Sequence, residues 1–227
     1  MDQFKFNKIS LLFCLLQFFL TLPAYSGNDS NIVSSAIEIA NSDWLKPGLL
    51  NSTRIELKFG SYGVQILAQD PIEGIRLSSL YSVHEGDKIA RTIAFTQYQQ
   101  KINEKLIQAH HEILEGSSIG STLKKYGFDI KKDLLFKGLV ESLPQQLQNL
   151  MHTQLESFAA VIYNLYAKDV NQLYLYCTIV EIYSPEFLTL DELHQIYPEP
   201  ILPTDNIPTF NIFFMMDQMG LISSSVK

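Results

Sequence analysis

Few residues in this chain combine the types and spacing that chemistry requires. His110, His111, Glu112 and Glu115 fall close together in a stretch with helical apolar spacing. His111 and Glu115 stand four apart, so one helix face could hold both. The His-Glu-x-x-His metal pattern is absent, because Glu115 occupies the second histidine slot. A solvated helix face is the plainer reading, and no metal site is expected. His84 adjoins a turn and reads as a surface residue. Cys177 lies in a run of strand-forming residues, which favours a buried thiol over a nucleophile. There is no phosphate-binding glycine loop and no paired Cys-x-x-Cys.

Arg76, Arg91 and Glu181 are more informative. Each interrupts a segment otherwise rich in apolar and β-forming residues. A charge in such a strand either points to water or is buried, and a buried charge needs a partner or a ligand. Three such charges on one small sheet could form the polar end of an apolar cavity. That chemistry suits a small aromatic or alicyclic carboxylic acid, with an arginine gripping the carboxylate through two parallel donors.

The elements that would carry these residues follow from periodicity. Residues 55–59 alternate apolar and polar, which predicts a half-buried strand. Residues 64–67, 75–83 and 88–98 predict three more, the last two joined by the tight turn Glu85-Gly86-Asp87. Helical spacing runs from Ile102 to Leu114 and stops at Gly116, and residues 118–126 predict a short helix ended by Gly127. A longer helix is expected over residues 140–166, where Leu143, Leu147, Leu150, Met151, Leu155, Phe158, Ile162 and Leu165 recur at helical intervals. Residues 174–183 return to strand. Thr189-Leu190-Asp191-Glu192 is a capping box, and residues 210–222 predict a closing helix. Strands first, then helices, then a late strand predict an α+β fold with an antiparallel sheet and helices packed on one face.

The N-terminus carries an export pattern. Lys5 and Lys8 precede an almost wholly apolar run over residues 9–22, and Ala24-Tyr25-Ser26 places small residues before Gly27. The run is about 14 residues, short of the roughly 20 that span a bilayer. Residues 1–26 are therefore expected to be a cleavable signal. Residues 27–227 are expected to form one domain working in the periplasm or as a secreted protein. The net charge of −7 argues against sequence-independent nucleic-acid binding, which needs clustered Lys and Arg. No second apolar stretch is long enough to cross a membrane. Cleavage would leave Cys177 as the one cysteine, so no internal disulfide is expected.

In order along the chain, these residues resemble chorismate lyase and its relatives. Trp44-Leu45-Lys46-Pro47-Gly48-Leu49-Leu50 is similar to that family's opening turn. Ile75-Arg76-Leu77-Ser78-Ser79-Leu80 and Ala90-Arg91-Thr92-Ile93 are similar to two of its strands. Residues 116–123 resemble its glycine-containing loop, and Val180-Glu181-Ile182-Tyr183-Ser184-Pro185 its terminal strand. The likeness spans residues 44–185 and leaves a C-terminal extension from about residue 186. It implies that Arg76 grips a ring carboxylate and that Glu181 lies near a ring hydroxyl and a leaving ether. Backbone N–H groups around Leu50, Ile119 and Gly120 would assist, with Arg91 as a further binding residue. The implied reaction needs no cofactor: chorismate loses its enolpyruvyl group to give 4-hydroxybenzoate and pyruvate. The expected function is nevertheless a non-catalytic exported protein that binds a small cyclic carboxylic acid in the same pocket, with the lyase reaction as the alternative.

Overall fold

Turn chemistry sets the first half of the sheet. The structure is a computed structural model and describes residues 43–141 and 143–199. The export segment 1–26 and the closing helix expected at 210–222 lie outside the described residues. β1 (Gly63–Asp70), β2 (Ile75–His84) and β3 (Asp87–Tyr98) form an antiparallel meander. His84 pairs with Asp87 around Glu85 (φ 52°) and Gly86 (φ 93°). A two-residue turn with both φ values positive matches the natural twist of the strands it joins.

The second half repeats the arrangement. β4 (Asp129–Glu141), β5 (Ser157–Lys168) and β6 (Leu173–Tyr183) pair antiparallel, and β6 closes against β3. The six strands stand in the order β1-β2-β3-β6-β5-β4. The fold is α+β, an antiparallel sheet with helices. The helices are α1 (Asn51–Phe59), α2 (Ile107–Leu114), α3 (Ile119–Lys125), α4 (Gln145–Leu150) and α5 (Leu190–Ile196). α1, α2, α3 and α5 cover one face of the sheet, and the short α4 packs on the other. Among the described residues, no helix is long and apolar enough to cross a membrane.

Two elements differ from the sequence expectation. Residues 55–59 belong to helix α1, not to a strand. Ile55 is fully buried whereas Leu57 is exposed, so Ile55 and Phe59, four apart, share the inward face. Gly60 ends this helix at φ 75°, its N–H donating to the Glu56 carbonyl at 2.8 Å. Only glycine takes that left-handed position without strain. The long helix expected over 140–166 is instead the end of β4, the short α4 and all of β5. β5 is covered on both faces: Phe158, Ala159, Ala160 and Val161 are all buried. A strand buried on both faces shows no alternation, so its apolar run mimics helical spacing.

The faces of the sheet divide the labour. Leu77, Ile93, Phe95, Phe158, Ala160, Val180 and Ile182 point one way and form the main core with Leu143, Leu147 and Met151 around α4. Their neighbours in each strand point the other way, toward α1, α2 and α3. That second face is unusually polar, with Arg76, Ser78, Thr92, Thr96 and Glu181 all buried. α5 begins with the expected capping box, Thr189 accepting from the Glu192 N–H and Glu192 accepting from the Thr189 N–H.

Candidate functional site

The polar face encloses a cavity. Arg76, Ser78, Thr96 and Glu181 line it from the strands, Asn51 and Ser52 from α1, and Ile119 and Gly120 from α3. Including its mouth and the solvent-open space there, it holds about 540 Å³ of atom-free space. Arg76 of β2 pairs with Thr96 of β3, and Glu181 of β6 pairs with Ala94. The two charged residues thus flank β3, two strands and two residues apart. Strand spacing and rise put their Cα atoms about 12 Å from each other.

Arg76 is 1% exposed. Its Nη1 donates to the Ile113 carbonyl at 2.8 Å and the Ser117 carbonyl at 3.1 Å, both at the C-terminal end of α2. The Ile113 carbonyl also accepts from the Gly116 N–H at 3.1 Å, so Arg76 adds a second, charged donor to the end of the helix and ties it to the turn that follows. These bonds fix the guanidinium without neutralising it: among the described residues no carboxylate pairs with Arg76. Its Nε has no hydrogen-bond partner among them, and neither do Asn51 Oδ1, Tyr62 Oη and Thr96 Oγ1. All four residues line the cavity. Buried polar atoms are nearly always satisfied, and of the seven unpaired ones among the described residues these four surround one void, where a polar guest could bond them.

Glu181 is 5% exposed and anchors the other end. Its Oε1 accepts from Asn51 Nδ2 at 3.3 Å and its Oε2 from the Tyr183 hydroxyl at 2.7 Å. Lys132 Nζ stands 3.9 Å from Oε2 and 4.2 Å from the Tyr163 ring centre. Burial, with the Glu181 charge next in order, holds the Tyr163 and Tyr183 phenols well above the usual tyrosine range, so both stay protonated. Burial pushes the Lys132 ammonium down, but Tyr197 and Glu181 pull it up, and the net direction is upward.

Two helix starts converge on the same void. Leu50 precedes α1 and Ser118 precedes α3, neither helix having a side-chain cap. Residues 50–52 and 118–120 line the cavity. A Cβ on Gly120 would lie 3.0 Å from Leu50 Cδ2, so glycine permits this close approach.

The sequence-predicted site residues therefore divide. Arg76, Glu181, Leu50, Ile119 and Gly120 all line one cavity. Arg91 does not, which corrects its expected binding role. β2 and β3 shift register here, Leu80 pairing with Thr92 and Tyr81 with Ala90. Arg91 is left without an opposite, and such a bulge re-aims a side chain. Its Nε donates to Ser82 Oγ at 2.8 Å, its Nη1 to Glu186 at 2.6 Å, and its guanidinium lies 3.9 Å from the Phe59 ring centre. Arg91 ties β3 to α1 and to the turn after β6.

Asn51, Lys132 and Tyr183 are site residues that the sequence reading missed. Asn51 heads an Asn-Ser-Thr sequence, yet its side chain is buried, donating to Thr92 and Glu181. Gly116-Ser117-Ser118-Ile119-Gly120 also has the Gly-x-Ser-x-Gly spacing of a nucleophile elbow. An elbow joins a strand to a helix, whereas this segment joins helix α2 to helix α3, and among the described residues no histidine lines the cavity.

The histidine cluster splits. Glu112 pairs with Lys125 at 2.7 Å and His111 is exposed. His110 turns inward, its Nδ1 2.8 Å from the Tyr176 hydroxyl. No group that could hold a metal occurs among the described residues. Burial, then the His111 charge, lowers the His110 pKa from its usual 6.5. A depressed histidine favours the fold in its neutral form. Its contribution is whole above pH 6.5 and is lost as pH falls toward the lowered value. Thermal melts at pH 7.5 and 5.5 should show a larger drop in Tm for the parent than for His110→Gln. Equal drops would contradict this.

No family model and no curated protein matches the chain. Among solved structures the chain is similar to the crystal structure of PhnF from Mycobacterium smegmatis, at 12% identity and a TM-score of 0.38. The likeness covers 63% of this chain and 68% of that one. At that score it assigns no role to any residue here.

Proposed function

We propose that this chain is an exported protein with a chorismate lyase-like fold that binds a small cyclic carboxylic acid between Arg76 and Glu181. One observation carries the reading. Among the described residues Arg76 is buried without a carboxylate partner, and it lines the same cavity as Glu181 together with the apolar residues Leu80, Ala94, Leu165 and Ile179. An acid entering there supplies the missing anion to Arg76, lays its ring on the apolar wall, and presents its far substituent to Glu181, Asn51 and Lys132. The ordered likeness over residues 44–185 supports the choice of ring acid. The charge, apolar run and small residues of 5–26 support export.

A second reading is favoured by Glu181 itself. A carboxyl group opposite the acid-binding arginine stands where proton transfer would assist loss of enolpyruvate from chorismate. Aromatisation drives that reaction, leaving the protein to orient the substrate and manage protons.

Calorimetry with 4-hydroxybenzoate, followed by a pyruvate-release assay with chorismate, tests both readings. Saturable one-to-one binding without pyruvate supports the binding protein. Pyruvate release that disappears in Glu181→Gln supports the lyase. Absence of binding to either compound sinks both.

A further inference from the structure

A second cleft lies beside the acid cavity and shares Leu50 and Lys132 with it. It too holds about 540 Å³ of atom-free space, its mouth included. Its polar side chains are Arg54 of α1, Lys124 of α3, Lys132 of β4 and Tyr197 after α5, and the backbone of residues 48–50 completes it. Among the described residues no carboxylate lines it. That composition is unexpected in a chain whose net charge is −7.

The cations are also poorly compensated. Arg54 is 3% exposed. Both of its terminal nitrogens donate to backbone carbonyls, Nη1 to Trp44 at 2.5 Å and Nη2 to Lys46 at 2.8 Å. These bonds aim the guanidinium but leave its charge in place. Burial lowers its pKa, as expected for a cation withdrawn from water. Among the described residues no carboxylate pairs with Arg54 or Lys124. Lys132 finds only Glu181, 3.9 Å away and on the acid-cavity side. Arg54 is close enough to oppose the Lys132 charge, while the Tyr197 hydroxyl accepts from Lys132 Nζ at 3.4 Å. Three cations thus share one carboxylate, and that carboxylate serves the neighbouring site.

We infer that this second cleft is a binding site for a doubly charged oxyanion group, a phosphate, held by Arg54, Lys124 and Lys132 with Tyr197 as an additional hydrogen-bond donor. A guanidinium fixed by backbone carbonyls beside two ammonium groups matches the charge and acceptor number of phosphate better than those of a single carboxylate. The two sites share Lys132, but Arg54 and Lys124 do not line the acid cavity, so a variant at Lys124 separates them.

The test is calorimetry of the full chain with inorganic phosphate at fixed ionic strength, with acetate and glycerol 1-phosphate in parallel. One saturable site for inorganic phosphate or for the ester is expected, with acetate at least about tenfold weaker. Tighter binding of the ester assigns a phosphorylated small molecule as the ligand, and tighter binding of inorganic phosphate assigns the free ion. Lys124 is exposed and, among the described residues, bonds to no other side chain, so Lys124→Gln should fold normally. It should weaken phosphate about fivefold while leaving 4-hydroxybenzoate binding unchanged. No saturable phosphate binding, equal affinity for acetate, or an unchanged affinity in Lys124→Gln would overturn the assignment, whatever the acid cavity does.

Discussion

Arg76→Ala is expected to abolish 4-hydroxybenzoate binding and to lower the stability of the fold by about 3 kcal/mol. The binding loss follows from burial. Arg76 is the cation that lines the β2 end of the acid cavity, and a ring carboxylate left there without it would be an unpaired buried charge. The stability loss has a separate cause. Arg76 Nη1 holds the carbonyls of Ile113 and Ser117; truncation takes this donor from both, leaving Ile113 its bond from the Gly116 N–H, and opens a void beneath α2. Hydrogen bonds to a charged group are each worth about 1.5–3 kcal/mol, less the relief of no longer burying the cation. Arg76→Lys keeps the charge but loses the planar fork, so it should bind at least about tenfold more weakly. Urea denaturation and calorimetry check the two effects separately. A variant that melts and binds like the parent would remove the site from the account.

Phe158→Ala should cost about 4 kcal/mol, the range for emptying a phenyl ring from a packed core. Phe158 is fully buried in β5 among Leu77, Phe95, Leu147 and Met151. The companion variant is Leu155→Ala. On a helix running through residues 140–166 the two side chains, three apart, would share a face and cost similar amounts. In the structure Leu155 precedes β5 and is 56% exposed, so its truncation should cost under about 0.5 kcal/mol. Urea midpoints that move equally in the two variants would contradict the strand.

How far the sequence discloses this arrangement depends on what covers each element. The β2–β3 hairpin is plain to read, because Glu85-Gly86-Asp87 supplies the backbone conformations that its turn needs. β6 and the Thr189 capping box are equally plain. The charges at 76 and 181 stand out because an apolar strand surrounds them. β5 is hidden by its own burial: covered on both faces, it shows an apolar run without alternation. α1 is misread because Ile55, Leu57 and Phe59 alternate by chance, and only Gly60 hints that a helix ends there. Arg91 has the same local sequence signature as Arg76. What separates them is a register shift between two strands, and no local pattern encodes it. Asn51 and Lys132 enter the site only through tertiary packing, one from a helix start and the other from an edge strand.

The most direct test is a crystal structure of the chain with 4-hydroxybenzoate. The account predicts one molecule in the cavity beneath α1 and α3, its carboxylate against the Arg76 guanidinium and its hydroxyl toward Glu181. A ligand bound elsewhere, or one seated with its carboxylate at Glu181 and its ring away from Arg76, would contradict it.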